Sequence, residues 1–239
     1  MNISFSGKVA LVAGGTGGLG RAVSLAFLEE GARVLVTYRR EEEYTALQSA
    51  AGPHAAALEG HRVDITEELT VAAFVSDALA QHGRLDAVVN TIGGYAGGIK
   101  LWELETRVLD AMLLLNLRSG FTLARAVLPL LLKQGYGSIV NVAAKAAVDH
   151  AAGASAYAAS KAAAVALMDS LAGDTRGTGV RVNSILPSII DTPANRQAMP
   201  NADFASWPKP EEIAQVILFL CSDAAKTIHG AALPVYGNR

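Results

Sequence analysis

The chain has 239 residues, of which 51% are hydrophobic and only 18% charged, a balance that excludes disorder and favours one compact domain with a well-buried core. Twenty basic residues stand against 22 acidic ones, so no basic excess exists to track a phosphate backbone, and nucleic acid is not an expected partner. The single cysteine, Cys221, excludes an intrachain disulfide framework and fits a reducing cytoplasm, and five scattered histidines give no metal-binding spacing.

In chain order, the N-terminus carries no apolar signal core, and no run of 18 apolar residues follows anywhere, so no membrane association is expected. Residues 8–13 (KVALVA) form a short apolar run that stops at glycines. Residues 33–38, 62–63, 86–91, 138–142, 180–186 and 232–236 resemble it. Strands apolar on both faces belong in a parallel sheet covered on both sides. Between them, residues 18–30, 67–81, 104–134, 155–173 and 210–222 have helical spacing; in the first, Leu19, Val23 and Phe27 share a stripe. The alternation predicts a single α/β domain: a Rossmann-type, doubly wound parallel sheet of about seven strands with helices on both faces.

The first strand feeds a glycine-rich turn, Gly14-Gly15-Thr16-Gly17-Gly18-Leu19-Gly20. Glycines let the backbone turn sharply and approach a pyrophosphate, whose charge suits the N-terminus of the following helix. A glycine-rich turn can also be only a tight strand-to-helix connection. Its place between the first strand and an amphipathic helix favours dinucleotide binding. Much further on, Tyr157 and Lys161 are four residues apart and project from one helical face. A nearby ammonium favours phenolate, so a depressed Tyr157 pKa and general-acid chemistry are expected. A chance pair on a surface helix is the plainer alternative.

Gly14-x3-Gly18-x-Gly20 together with Tyr157-x3-Lys161 resembles the short-chain dehydrogenase/reductase family, and further motifs of that family follow in order along essentially the whole chain. Asp64-Ile65 stands where the family's Asp meets adenine. Asn90-Thr91-Ile92-Gly93 stands for its Asn-Asn-Ala-Gly segment. Asn116 falls on its active-site Asn, and Pro187-Ser188-Ile189-Ile190-Asp191-Thr192 on its nicotinamide segment. The resemblance implies an NAD(P)-dependent oxidoreductase acting on a small molecule. Tyr157 is then the acid, Lys161 its partner and ribose contact, and Asn116 the holder of a relay water. The implied cofactor contacts are Gly14, Thr16, Gly17, Gly18, Leu19, Gly20, Arg39, Arg40, Asp64, Ile65, Asn90, Gly93, Pro187, Ile190 and Thr192. A homodimer or homotetramer is implied as well, built on the helices at 104–134 and 155–173, with the C-terminal tail as a second interface.

The family's catalytic Ser is missing: Ala144 occupies its position, 13 residues before Tyr157. Ser155 is a weakly motivated substitute, and a helix N-terminal role suits it better. The stretch Ala143-Ala144-Lys145-Ala146-Ala147-Val148-Asp149 resembles dihydropteridine reductases, which also lack this Ser. So do Gly93-Gly94-Tyr95-Ala96-Gly97-Gly98, with Tyr95 in place of Trp, and the run from Asp191 to Trp207. This points to a conjugated C=N or C=O substrate such as a quinonoid dihydropterin. A general carbonyl or 3-oxoacyl reductase and a catalytically weak NADP-sensing protein are the alternatives. At the end of the second strand, Arg39 and Arg40 replace the acidic residue that holds the 2′-hydroxyl of NAD, so NADPH is the expected cofactor. Glu41, Glu42 and Glu43 temper that positive field and keep NAD usable; two solvated arginines opening a helix are the bland alternative.

Overall fold

The computed structural model describes residues 3–237. Seven strands form one sheet: β1 (Val9–Ala13), β2 (Arg33–Tyr38), β3 (Leu58–Arg62), β4 (Ala87–Asn90), β5 (Gly137–Val142), β6 (Val180–Pro187) and β7 (Ala232–Val235). Their order is β3-β2-β1-β4-β5-β6-β7, and every neighbouring pair is parallel. The order reverses between β1 and β4. In such sheets ligands bind in the crevice at the carboxyl ends of the strands beside this switch.

Successive residues of β1 serve opposite faces. Ala10 and Val12 join a core with Val34, Val36 and Val89, beneath α1 (Gly18–Glu29) and α8 (Pro210–Cys221). Val9, Leu11 and Ala13 join Leu35 and Val88 in a second core, beneath α3 (Glu68–His82), α5 (Ser119–Gln134) and α6 (Ser155–Asp174). Full burial is worth about 1.5–3 kcal/mol per large aliphatic side chain, which is why these strands need no polar face.

The expected helix at 104–134 is one rod made of three parts: α4 (Thr106–Leu113), a wider π turn at Leu114–Arg118, and α5. By length and composition this rod, Thr106–Gln134, could cross a membrane. Its Leu123, Val127 and Leu131 are instead buried under the sheet, as in a core helix.

One expectation is corrected. The third strand is Leu58–Arg62 rather than 62–63. Only Leu58 of it is buried, because it is an edge strand pairing with β2 alone, so no apolar run marks it. Helix α2 (Glu41–Ala51) escapes the apolar pattern because it buries just Leu47 and Ala51. Aromatic packing anchors it: Tyr44 stacks on Tyr38 at 4.8 Å and lies flat on Gly60, where a Cβ would come within 2.3 Å of the ring. A last short helix, α7 (Pro193–Ala198), is capped by the Thr192 hydroxyl, which accepts from the Asn195 amide at 3.2 Å.

Candidate active site

The glycine-rich turn follows β1 directly. Gly14 has φ +74°, a left-handed conformation that glycine alone adopts without strain, and its amide donates to Thr37 Oγ1 at 3.0 Å. Gly20 is required by packing: a Cβ there would meet the Gly14 carbonyl oxygen at 2.1 Å. The N-cap of α1 is Gly17, with no side chain covering the first helical amides. Uncapped amides at the positive end of a 12-residue helix fit a pyrophosphate. A groove of ≈ 490 Å³ lies along this turn, lined by Thr16, Gly17, Gly18, Arg21, Thr192 and Lys209 among others. The Thr192 methyl closes on Gly18, where a Cβ would stand 3.0 Å away, so the segment after β6 meets the turn after β1. These residues fit a dinucleotide.

Asn90 is less exposed to a ligand than its motif suggests. Its amide nitrogen donates to Asn141 Oδ1 at 2.9 Å and its oxygen accepts from the Ile92 amide at 3.2 Å. It is 2% exposed and ties β4 to β5. Asp64 caps its own turn: Thr66 donates to it from the amide at 2.9 Å and from the hydroxyl at 2.7 Å, and these bonds hold its pKa below the usual value. Arg39 approaches Asp64 at 3.6 Å, while Arg40 pairs with Glu43.

The catalytic candidates do come together. A Cβ at Gly93 would lie 2.9 Å from Asn116 Oδ1 and 3.0 Å from Lys161 Nζ, so both groups converge on this glycine. Asn116 sits in the π turn and grips the backbone of Gly94, accepting from its amide at 2.9 Å and donating to its carbonyl at 3.0 Å. Asn116 also donates to Ser160 Oγ at 2.9 Å, and Ser160 donates to the Tyr157 carbonyl at 2.8 Å. Both amide protons are thus used, and the side chain fixes the π turn against Ser160 in the second turn of α6.

Lys161 is 4% exposed and donates to the Val142 carbonyl at 3.0 Å. Burial pushes its pKa down to about 8. Tyr157 departs from expectation: burial first, and then Tyr95, push its phenol up to about 12. The expected depression counted on a nearby ammonium. In the chain alone, the ammonium is engaged with Val142 and only desolvation and a second phenol act on Tyr157.

Ala144 lies two residues past β5, 7% exposed, and bears no hydrogen-bonding side chain. Ser155 does not cap α6; its buried hydroxyl has no partner among the described residues. Lys145 turns away to Asp149 at 3.1 Å and over the Tyr236 ring at 5.3 Å. Tyr95 belongs to the site more firmly than the sequence motif indicates. It is 70% exposed, yet its ring meets Tyr157 edge-on with centroids 4.9 Å apart. Beyond β6, Arg196 binds Asp191 at 2.6 and 2.8 Å and covers Phe204 at 4.8 Å, and Phe204 packs on Trp207 at 5.0 Å. This strap follows the carboxyl end of β6 in the chain.

Comparison with known proteins agrees with this geometry. A family model described as short chain dehydrogenase matches residues 8–203. The 3-oxoacyl-[acyl-carrier-protein] reductase FabG of Thermotoga maritima is 31% identical over 240 residues, covering 97% of both chains. D-threitol dehydrogenase of Mycolicibacterium smegmatis is 35% identical over 244 residues, covering 97% of this chain and 92% of its own. The crystal structure of gox2181 superposes with a TM-score of 0.91 at 27% identity, covering 98% of this chain and 96% of that one.

Proposed function

From the premise that the chain belongs to the short-chain dehydrogenase/reductase family, and is an NAD(P)-dependent oxidoreductase by that membership, we propose that it reduces a conjugated C=N or C=O substrate, a quinonoid dihydropterin being the first candidate. The observation that carries this reading is Ala144 beside an otherwise complete Asn116, Tyr157 and Lys161 set. A plain ketone needs a donor at its oxygen, and losing such a donor costs ~2.7–4 kcal/mol at the transition state. A conjugated ring spreads the developing charge and needs that donor less. The exposed Tyr95 ring beside Tyr157 adds an aromatic wall suited to a planar substrate.

When bound, the reduced nicotinamide supplies the hydride. Tyr157 gives its proton to the substrate atom that gains negative charge, so one hydride and one proton are added. Lys161, now donating to the Val142 carbonyl, would hold a positive charge next to the site and contact the cofactor ribose. Asn116 braces Gly94 and Ser160, and a relay water would sit on its backbone carbonyl, since its amide protons are committed. The 31% identity to a 3-oxoacyl reductase supports a general carbonyl substrate as the second reading. Cofactor oxidation measured with quinonoid dihydropterin and with a panel of ketones separates the two. Oxidation with neither, in a chain that still binds cofactor, favours a nucleotide sensor.

Arg39 and Arg40 directly follow β2, paired with Asp64 and Glu43 but with side chains 62% and 67% exposed, within reach of a 2′-phosphate that would compete for them. NADPH should therefore bind more tightly than NADH in a direct titration. Equal affinities that survive Arg39→Ala and Arg40→Ala would contradict this. The protein is expected to act in the cytoplasm, in keeping with a single cysteine, Cys221, and so no intrachain disulfide.

Assembly is expected along the rod from Thr106 to Gln134, which leaves Leu114, Phe121 and Leu132 about two-fifths exposed. Copies paired across a two-fold axis would cover them. Sedimentation at micromolar concentration should show a dimer or tetramer; a monomer alone would refute this arrangement.

A further inference from the structure

The geometry points to Glu43 as an internal occupant of the cofactor's 2′-phosphate site, and so as the residue that sets the ratio of NADPH to NADH affinity. The inference rests on the dinucleotide reading of the glycine-rich turn. Thr16 is on that turn, and its hydroxyl donates to Glu43 Oε2 at 3.1 Å. The other carboxylate oxygen, Oε1, accepts from Arg40. A carboxylate thus sits between a hydroxyl of the glycine-rich turn and a guanidinium at the end of β2. These are the donors an anion carried by the adenosine ribose would need. Glu43 comes from the first turn of α2, whose position is fixed by Tyr44 on Tyr38 and Gly60. Its side chain is 30% exposed, so it is held but not trapped.

A 2′-phosphate entering here must displace the carboxylate from Thr16 and Arg40, because two anions cannot share those donors without repulsion. A 2′-hydroxyl faces no such conflict, since the carboxylate can accept a hydrogen bond from it. Glu43 therefore weakens NADPH binding and supports NADH, while Arg40 does the reverse. The net preference for NADPH is narrower than two arginines alone would give.

The test is calorimetric titration of the full chain and of Glu43→Gln with NADPH, NADH, adenosine 2′,5′-bisphosphate and adenosine 5′-monophosphate. Glutamine keeps the shape and removes the charge; its carbonyl oxygen can accept from Arg40 while its NH2 donates to the Thr16 hydroxyl. Affinity for NADPH and the bisphosphate should rise roughly tenfold in Glu43→Gln, with NADH and the monophosphate unchanged or weaker. Arg40→Ala should also cost more NADPH affinity in the Glu43→Gln background than in the parent, because the guanidinium is then no longer shared. Unchanged or weaker NADPH binding in a folded Glu43→Gln chain overturns the inference while leaving the dinucleotide reading intact. Failure of the parent to bind any of the four overturns both.

Discussion

Replacing Tyr157 with Phe should lower turnover by ~10²–10⁴-fold, the usual worth of a positioned general acid, and leave cofactor affinity unchanged. The ring stays in place: it is packed edge-on against Tyr95 and anchored by its own carbonyl through Ser160. Only the hydroxyl is lost. With the phenol pushed up to about 12 in the chain alone, it stays protonated through the neutral range and is available as a donor for reduction. Steady-state rates and a cofactor titration on the same preparation check this. Turnover within a few-fold of the parent would remove Tyr157 from the chemistry.

Lys161→Met should separate stability from activity. Burial lowers the ammonium's pKa from 10.5 to about 8, which corresponds to roughly 3 kcal/mol of folding free energy spent on keeping it charged. The unfolded chain binds this proton more strongly, so the cost is fully present below pH 8 and is relieved as pH rises from about 8 to 10.5. Methionine removes the charge but keeps the length. Leaving the buried Val142 carbonyl without its donor takes back about 1–3 kcal/mol, so the net gain at neutral pH is at most about 2 kcal/mol. The thermal midpoint should rise, and the increase in stability between pH 8 and 10.5 should flatten. Turnover should fall by ~10²-fold or more, and cofactor affinity with it, since the positive charge beside Tyr157 is gone. A lower midpoint at neutral pH, or retained turnover, would contradict this account of Lys161.

The parts of the fold legible in the sequence are those set by local sterics or by burial on both faces. Gly14 and Gly20 announce a turn that no Cβ could enter, and Leu11, Leu35 and Val88 announce a sheet with no wet side. β3 and α2 were hidden because they lie at the sheet edge, where only Leu58, Leu47 and Ala51 are buried and polar residues such as Glu59, His61 and Glu41 interrupt any apolar pattern. The site shows the same division. Tyr157 and Lys161 are fixed by helical spacing, which the chain carries locally. That Asn116 spends its amide on Gly94 and Ser160 depends on a π turn between two helices and on residues 22 and 44 positions away. The grip of Thr16 and Arg40 on Glu43 likewise needs the β1 turn and α2 brought side by side. The spacing of Glu43 carried no sign of it beyond the acidic run at 41–43.

The central claim is that a site lacking the hydroxyl at position 144 is specialised for a substrate that does not need it. The measurement that tests it is the ratio of dihydropterin to ketone reduction, as kcat/KM, in the parent and in Ala144→Ser. A restored donor is worth up to ~2.7–4 kcal/mol to a ketone transition state. The account predicts dihydropterin reduction in the parent, and a gain of about tenfold or more in ketone reduction on introducing Ser, with little change for the pterin. Ketone reduction that is already dominant in the parent and unmoved by Ser would contradict it.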